Sequence, residues 1–200
     1  MNTSVSLKTQ QSTQTRKAIL DSCLKLFAKY GFSTTSIEDI ASAAGITKGA
    51  VYWHFDGKQD LFQEILEQIR TRWHHMVQQP LSEEKAPLAR LETLFDCYLK
   101  LFVEAPEICL FLQRVLLERD KEFSPQVGRV FAQTAHFIAR ILDEGKMCRV
   151  FRQDFDSLVT AHMILASISG ATQQSLTNRS LTIEGLVREA KAMVLARIGS

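Results

Sequence analysis

The sequence predicts an all-α protein, a small three-helix head followed by a larger helical body, and three observations carry that prediction. Apolar residues recur at helical spacing in nearly every segment, and no stretch sustains the alternation of a strand. Gly and Pro fall at intervals that cut the chain into about nine helices. The 46% hydrophobic content over 200 residues is enough for a packed core.

Taken in order, residues 1–12 are rich in Ser, Thr and Gln and are expected to form a flexible tail. A first helix starts at Thr13, carries Ile19, Cys23, Leu26, Phe27 and Tyr30 on one face, and stops at Gly31, a residue suited to a left-handed cap. Ser36 is an N-cap with Asp39 three residues on, and Ile37, Ile40, Ala41 and Ala44 face inward. Gly45 ends this short helix, Thr47 caps a third, and Asp56-Gly57 closes that one. Residues 13–60 thus form one unit. A long amphipathic helix runs from Leu61 through Phe62, Ile65, Leu66, Ile69 and Trp73 to near Gln79, where Pro80 and the charged stretch to Lys85 break it. It joins the head to a body spanning residues 61–200. Pro87 opens the next helix, with Leu91, Leu94, Phe95, Tyr98, Leu99 and Phe102. Pro106 and Pro125 open two more, the second reaching Gly145, and the last two cover about 155–176 and 183–198. There is no internal repeat.

The formal net charge is only +2. Residues 1–60 hold seven Lys/Arg against five Asp/Glu, so the whole basic excess lies at the front, which is compatible with a nucleic acid partner. The first residues lack the apolar stretch of a signal peptide, and the longest apolar run, near Ala161–Ala171, is interrupted by His162 and serines. No membrane association is expected. Cys23, Cys97, Cys109 and Cys148 lie far apart without C-x-x-C spacing, which fits free thiols in a reducing cytoplasm and leaves a redox sensor as the alternative.

The informative segment is Ser36–Phe55. Two short helices joined by a turn at Gly45 make a helix-turn-helix, held by Ile40, Ala41, Ile46, Val51 and Phe55. Lys48, Gly49, Tyr52 and His54 are left to face outward. Gly49 and Ala50 keep the start of the second helix slim enough to approach base edges. Lys48 can reach guanine acceptors or phosphate, and Tyr52 and His54 phosphate oxygens. For Trp53 the pattern decides neither core nor surface.

Thr15, Ile19, Leu20, Leu26, Phe27 and Gly31, then Ala-Ala-Gly45-Ile-Thr-Lys-Gly-Ala-Val-Tyr-Trp-His-Phe55 and Lys58-Gln-Asp-Leu-Phe62, resemble the opening of the TetR/AcrR family of regulators, most of all its AcrR-type efflux repressors. The resemblance covers about residues 13–66. It implies a dimeric repressor that binds a palindromic double-stranded operator and is released by a small hydrophobic ligand, with control of drug efflux or a similar detoxification operon. It also implies that Ser36, Thr47, Lys48, Gly49, Ala50, Tyr52 and His54 face DNA and that Lys58 touches phosphate. Asp56 departs from the basic or neutral residue common there.

In the body, Phe95, Tyr98, Phe102, Phe111, Phe131 and Phe137, with Gln113, are the candidates for a ligand-binding cavity, although each is also an ordinary core residue by pattern. Adjacent His74 and His75 point about 100° apart on a helix, and His136 and His162 show no ligand-like spacing, so no metal or cofactor is expected. No nucleophile–base signature or phosphate loop appears, so no enzyme is expected. Small residues on the last two helices, Ala161, Ala166, Ser169 and Gly170 with Ala190 and Ala196, suit either a homodimer seam or internal packing. The readings left open are a redox-responsive regulator and a helical ligand-binding protein without DNA binding.

Overall fold

A computed structural model describes residues 3–84, 86–118 and 121–199. They form α1 (Thr3–Tyr30), α2 (Ile37–Ala44), α3 (Lys48–His54), α4 (Lys58–Trp73), α5 (Gln79–Glu83), α6 (Pro87–Glu104), α7 (Pro106–Glu118), α8 (Ser124–Met147), α9 (Ser157–Thr177) and α10 (Ile183–Ile198). Between α4 and α5, His74–Gln78 makes a π-helical turn. The three pieces run without a break through residues 58–83, so the described residues make nine continuous helical rods. The one β-type contact among them is a bridge between Phe151 and Gly199.

Two boundaries differ from the expected ones. α1 already starts at Thr3, so residues 3–12 continue the helix instead of forming a tail; Met1 and Asn2 lie outside the described residues. Residues 3–18 contain neither Gly nor Pro, and the Thr13 and Thr15 hydroxyls donate to the carbonyls of Thr9 and Gln11 at 3.0 and 2.9 Å. A polar sequence can therefore carry the helix while residues 9–18 bury no face. Pro80, expected to break the long helix, sits in the first turn of α5. The preceding π turn, in which Gln79 N donates to the carbonyl of His74, widens the helix where the proline ring would otherwise meet a carbonyl four residues back.

The head does not close a core of its own. Ile19, Phe27, Ile40, Val51 and Phe55 join Leu61, Phe62 and Ile65 of α4 and then Ile108, Phe111, Val115, Phe123 and Val127 of the body in one buried cluster. Phe62 is its hub, with ring centroids 4.0 Å from Phe123, 5.3 Å from Phe111 and 5.6 Å from Phe32. α7 also latches the corner after α1. Gly31 has φ +96°, and the Glu118 carboxylate fills the space a side chain there would need while accepting a hydrogen bond from Phe32 N at 3.3 Å. Arg114 donates to the Lys29 carbonyl at 3.2 Å. A second cluster fills the rest of the body, with Leu91 and Phe95 of α6, Ile138 and Leu142 of α8, Ile164 of α9 and Val187 of α10.

Candidate nucleic-acid interface and ligand cavity

Local chemistry sets the helix-turn-helix. The Ser36 hydroxyl accepts from Asp39 N at 3.1 Å while the Asp39 carboxylate accepts from Ser36 N at 2.9 Å, a reciprocal cap on α2. Gly45, at φ +68°, turns the chain, and Ile46 N donates to the Ala41 carbonyl at 3.0 Å. Thr47 Oγ1 accepts from Ala50 N at 3.2 Å and caps α3. Val51 and Phe55 are buried, and Ile46 packs against the same cluster. The outer side of α3 is consequently left exposed, with Lys48 tied only to the exposed Glu38 of α2.

That side presents Lys48, Gly49, Tyr52 and Trp53, all exposed; Tyr52 is 49% and Trp53 73% accessible. Trp53 was undecided from pattern and belongs to the surface. Its ring lies edge-on to His54, centroids 4.5 Å apart. His54 is half-buried, and burial followed by the nearby Arg16 guanidinium lowers its pKa from the usual imidazole value. Arg16 in turn spans Phe55, 4.9 Å above its ring, to Glu64 at 2.9 Å. Lys48 pairs with Glu38 of α2, and their hydrogen bond favours the charged form of both. A Cβ on Gly49 would meet only Thr47 Oγ1, at 3.9 Å, so the fold itself does not require glycine there.

Two of the residues expected at DNA are engaged elsewhere. Lys58 Nζ donates to the carbonyls of Phe32 at 2.7 Å, Thr35 at 3.0 Å and Ser33 at 3.4 Å, and lies 4.4 Å over the Phe32 ring. It clamps the α1–α2 corner. Ser36 gives its hydroxyl proton to Asp39 at 2.6 Å, whereas Thr47 uses its oxygen only as an acceptor in the cap and keeps a donor.

The body holds a cavity of about 520 Å³ between α4 with its π turn, α6, α7, α8 and α9. Of the seven residues expected to line it, Tyr98, Gln113, Phe131 and Phe137 do. Phe95 and Phe111 do not: both are fully buried, one in the body core and the other between head and body. Phe102 packs against the body core and is also outside the lining. All three stand on apolar helix faces, and sequence spacing does not tell which face meets a void. The residues missed include Trp73, at the end of the apolar face of α4, and Thr172, a small polar break on the inner face of α9. Burial pushes the Tyr98 phenol up, and its hydroxyl neighbours the Trp73 indole, whose buried N–H makes no hydrogen bond of good geometry.

The other sequence candidates separate clearly. Ala161 and Ala190 are buried inside the chain, and Ser169 lines the cavity. Ala166, Gly170 and Ala196 are exposed and stand beside Val159, Met163 and Met193, which are 60%, 63% and 66% accessible. Burial pushes the Cys23 thiol up, does the same for Cys97, and raises Cys109 to about 11, opposite to what a reactive thiolate needs. Among the described residues no cluster of three or more His, Cys, Asp or Glu is placed to hold a metal ion, and no helix is long and apolar enough to cross a membrane.

A helix-turn-helix with an exposed outer face, carried on an otherwise helical body with a cavity, is the arrangement of this all-α chain. Residues 19–65 match the model of the bacterial regulatory proteins of the tetR family. AcrR, a helix-turn-helix transcriptional regulator of Shigella flexneri, is 57% identical over 58 residues, which span 29% of this chain and 27% of AcrR. The transcriptional repressor BepR of Brucella suis biovar 1 is 26% identical over 166 residues, 80% of this chain and 79% of BepR. The structure of SmeT, repressor of the Stenotrophomonas maltophilia multidrug efflux pump SmeDEF, superposes with a TM-score of 0.70 at 22% identity, covering 92% of this chain and 90% of SmeT. The head of this chain is thus similar to that of the tetR family of bacterial regulatory proteins over residues 19–65, and the fold of the whole chain is similar to that of SmeT.

Proposed function

We propose that this chain is a dimeric repressor that reads a palindromic operator with α3 and leaves it when a small hydrophobic molecule occupies the body cavity. One observation carries the DNA half: Lys48, Gly49, Tyr52 and Trp53 stand exposed on a helix whose opposite side, Val51 and then Phe55, is buried. Thr47, Lys48, Gly49, Ala50, Tyr52 and His54, with Trp53 added, form the reading surface. Ser36 supports it as a cap and Lys58 as a clamp.

Dimerisation is supported by the exposed apolar stripe Val159, Met163, Ala166 and Gly170, which has the i, i+4, i+7 spacing of a helix seam, together with Met193 and Ala196 of α10. Two heads are needed to read the two halves of a two-fold site. Met163→Arg puts a charge into that seam and is expected to yield a folded monomer with lost operator binding; an unchanged dimer would move the seam elsewhere.

α4 makes release mechanically reasonable. Leu61, Phe62 and Ile65 bind its start to the head, while Ile69, Trp73, His74 and Gln78 form one wall of the cavity. A ligand that favours a different position of this rod changes the separation of the two α3 helices, and by linkage DNA weakens the ligand by the same factor. Control of an efflux operon is the outermost part of the proposal and draws on SmeT. The deciding experiment is to sequence the DNA fragments selected by the purified protein. Enrichment of an inverted repeat near its own gene supports the reading; retention of no fragment above background overturns it.

A further inference from the structure

We propose that the body cavity selects an amphipathic anion, an apolar body ending in a carboxylate or a similar acceptor-rich head. This names the ligand class for the site proposed above and rests on that reading. The lining separates into two zones. Leu101, Ile108, Leu112, Leu165 and Ile168 make the apolar zone of the lining, where Thr134, Thr172 and Gln113 are spent within the chain and the Trp73 indole N–H stays an unpaired donor among the described residues. Thr134 donates to the Val130 carbonyl at 2.9 Å, Thr172 to the Ile168 carbonyl at 3.1 Å, and Gln113 Nε2 to the Ser169 carbonyl at 3.3 Å. That zone accepts a hydrocarbon or aromatic body.

The exposed rim carries the charge. Arg70 near the end of α4 and His74 at the start of the π turn stand four residues apart, and His136 and Arg140 stand one turn apart on α8; all four line the cavity and all four are exposed. No Asp or Glu lines it among the described residues. Arg140 lies 5.7 Å from the Phe137 ring centroid and makes no ion pair among the described residues. Arg70 is shared with Glu67 at 3.3 Å, but both side chains are more than half exposed, so that pairing competes weakly with a ligand. A guanidinium pairs with a carboxylate through two parallel hydrogen bonds, and a cationic head at the same rim meets like charge with no acid to answer it. The apolar body therefore points inward and the anionic head stays at the mouth between α4 and α8.

Three probes that share one tail separate the head group from the cavity: dodecanoate, dodecanol and dodecyltrimethylammonium, each titrated below its micelle concentration by calorimetry. Dodecanoate is expected to bind about tenfold more tightly than dodecanol, the equivalent of one charge-assisted hydrogen bond, and dodecyltrimethylammonium more weakly than dodecanol. Arg140→Gln, a change at an exposed position, should remove most of that advantage and leave dodecanol affinity unchanged. Ser169→Trp, which fills the cavity, should abolish binding of all three. Equal affinities, tightest binding of the ammonium, or an advantage that survives both Arg140→Gln and Arg70→Gln would overturn the anion assignment while leaving the cavity a ligand site. Absence of binding by any probe, or binding that survives Ser169→Trp, would overturn the assignment together with the ligand role of the cavity.

Discussion

Replacing Lys58 by Met separates two roles that its position in the chain would allow. A cation is the unfavoured sign in the first turn of a helix, and Gly57 offers α4 no side-chain cap. The charge is retained because its ammonium ties down the carbonyls of Phe32 and Thr35 at 2.7 and 3.0 Å, with Ser33 more distant at 3.4 Å. Hydrogen bonds to a charged group contribute about 1.5–3 kcal/mol each when truncated, but these carbonyls stand near the surface and recover part of that from water, so about 2–3 kcal/mol is the expected net loss. For a protein of this size that corresponds to a fall in Tm of roughly 4–12 °C. The assay is a thermal melt of free Lys58→Met protein beside the salt dependence of its DNA binding. Expected are a lowered Tm and an unchanged salt slope. An unchanged Tm with a slope reduced by about one would show that Lys58 neutralises a phosphate and that the clamp is incidental.

Three further substitutions test the reading surface and the cavity assignment. Glu38→Gln releases Lys48 from its exposed partner and should strengthen DNA binding, whereas Lys48→Ala should lower the salt slope by about one; retardation at several salt concentrations measures both. Gly49→Ala should keep or slightly raise stability, by about 0.5–1 kcal/mol, since the added methyl meets only Thr47 Oγ1 at 3.9 Å, yet weaken operator binding by blocking close approach. Unimpaired binding would place Gly49 outside the interface. Phe111→Ala should cost about 3–5 kcal/mol, because its ring is fully buried 5.3 Å from Phe62 and 6.3 Å from Phe27, while Phe131→Ala at the cavity should cost less and mainly alter ligand binding. Equal losses in a urea titration of the two variants would contradict the division between core and cavity.

What was legible in the sequence follows the range of the interactions involved. The head reads well because its limits are set by neighbours: Ser36 with Asp39, Thr47 with Ala50, and Gly45 in the left-handed region are all visible within four residues. The boundaries of α10 and the prolines that open α6, α7 and α8 are legible for the same reason. The roles of Lys58 and Phe111 were not. Lys58 meets carbonyls 26 and 23 positions back, and Phe111 stacks on Phe27 from another helix, so no local pattern distinguishes clamp from phosphate contact or core from cavity. The same holds for Ala161 and Ala166, similar residues on one helix of which the first is buried in its own chain and the second is exposed. Long-range packing also alters the division expected at residue 60. Because Phe27, Phe32, Phe62, Phe111 and Phe123 pack as one group, the head cannot swing freely on α4 as a hinge. Any displacement of the rod by a ligand must carry these rings together or repack them, which makes the cavity and α3 parts of one mechanical unit.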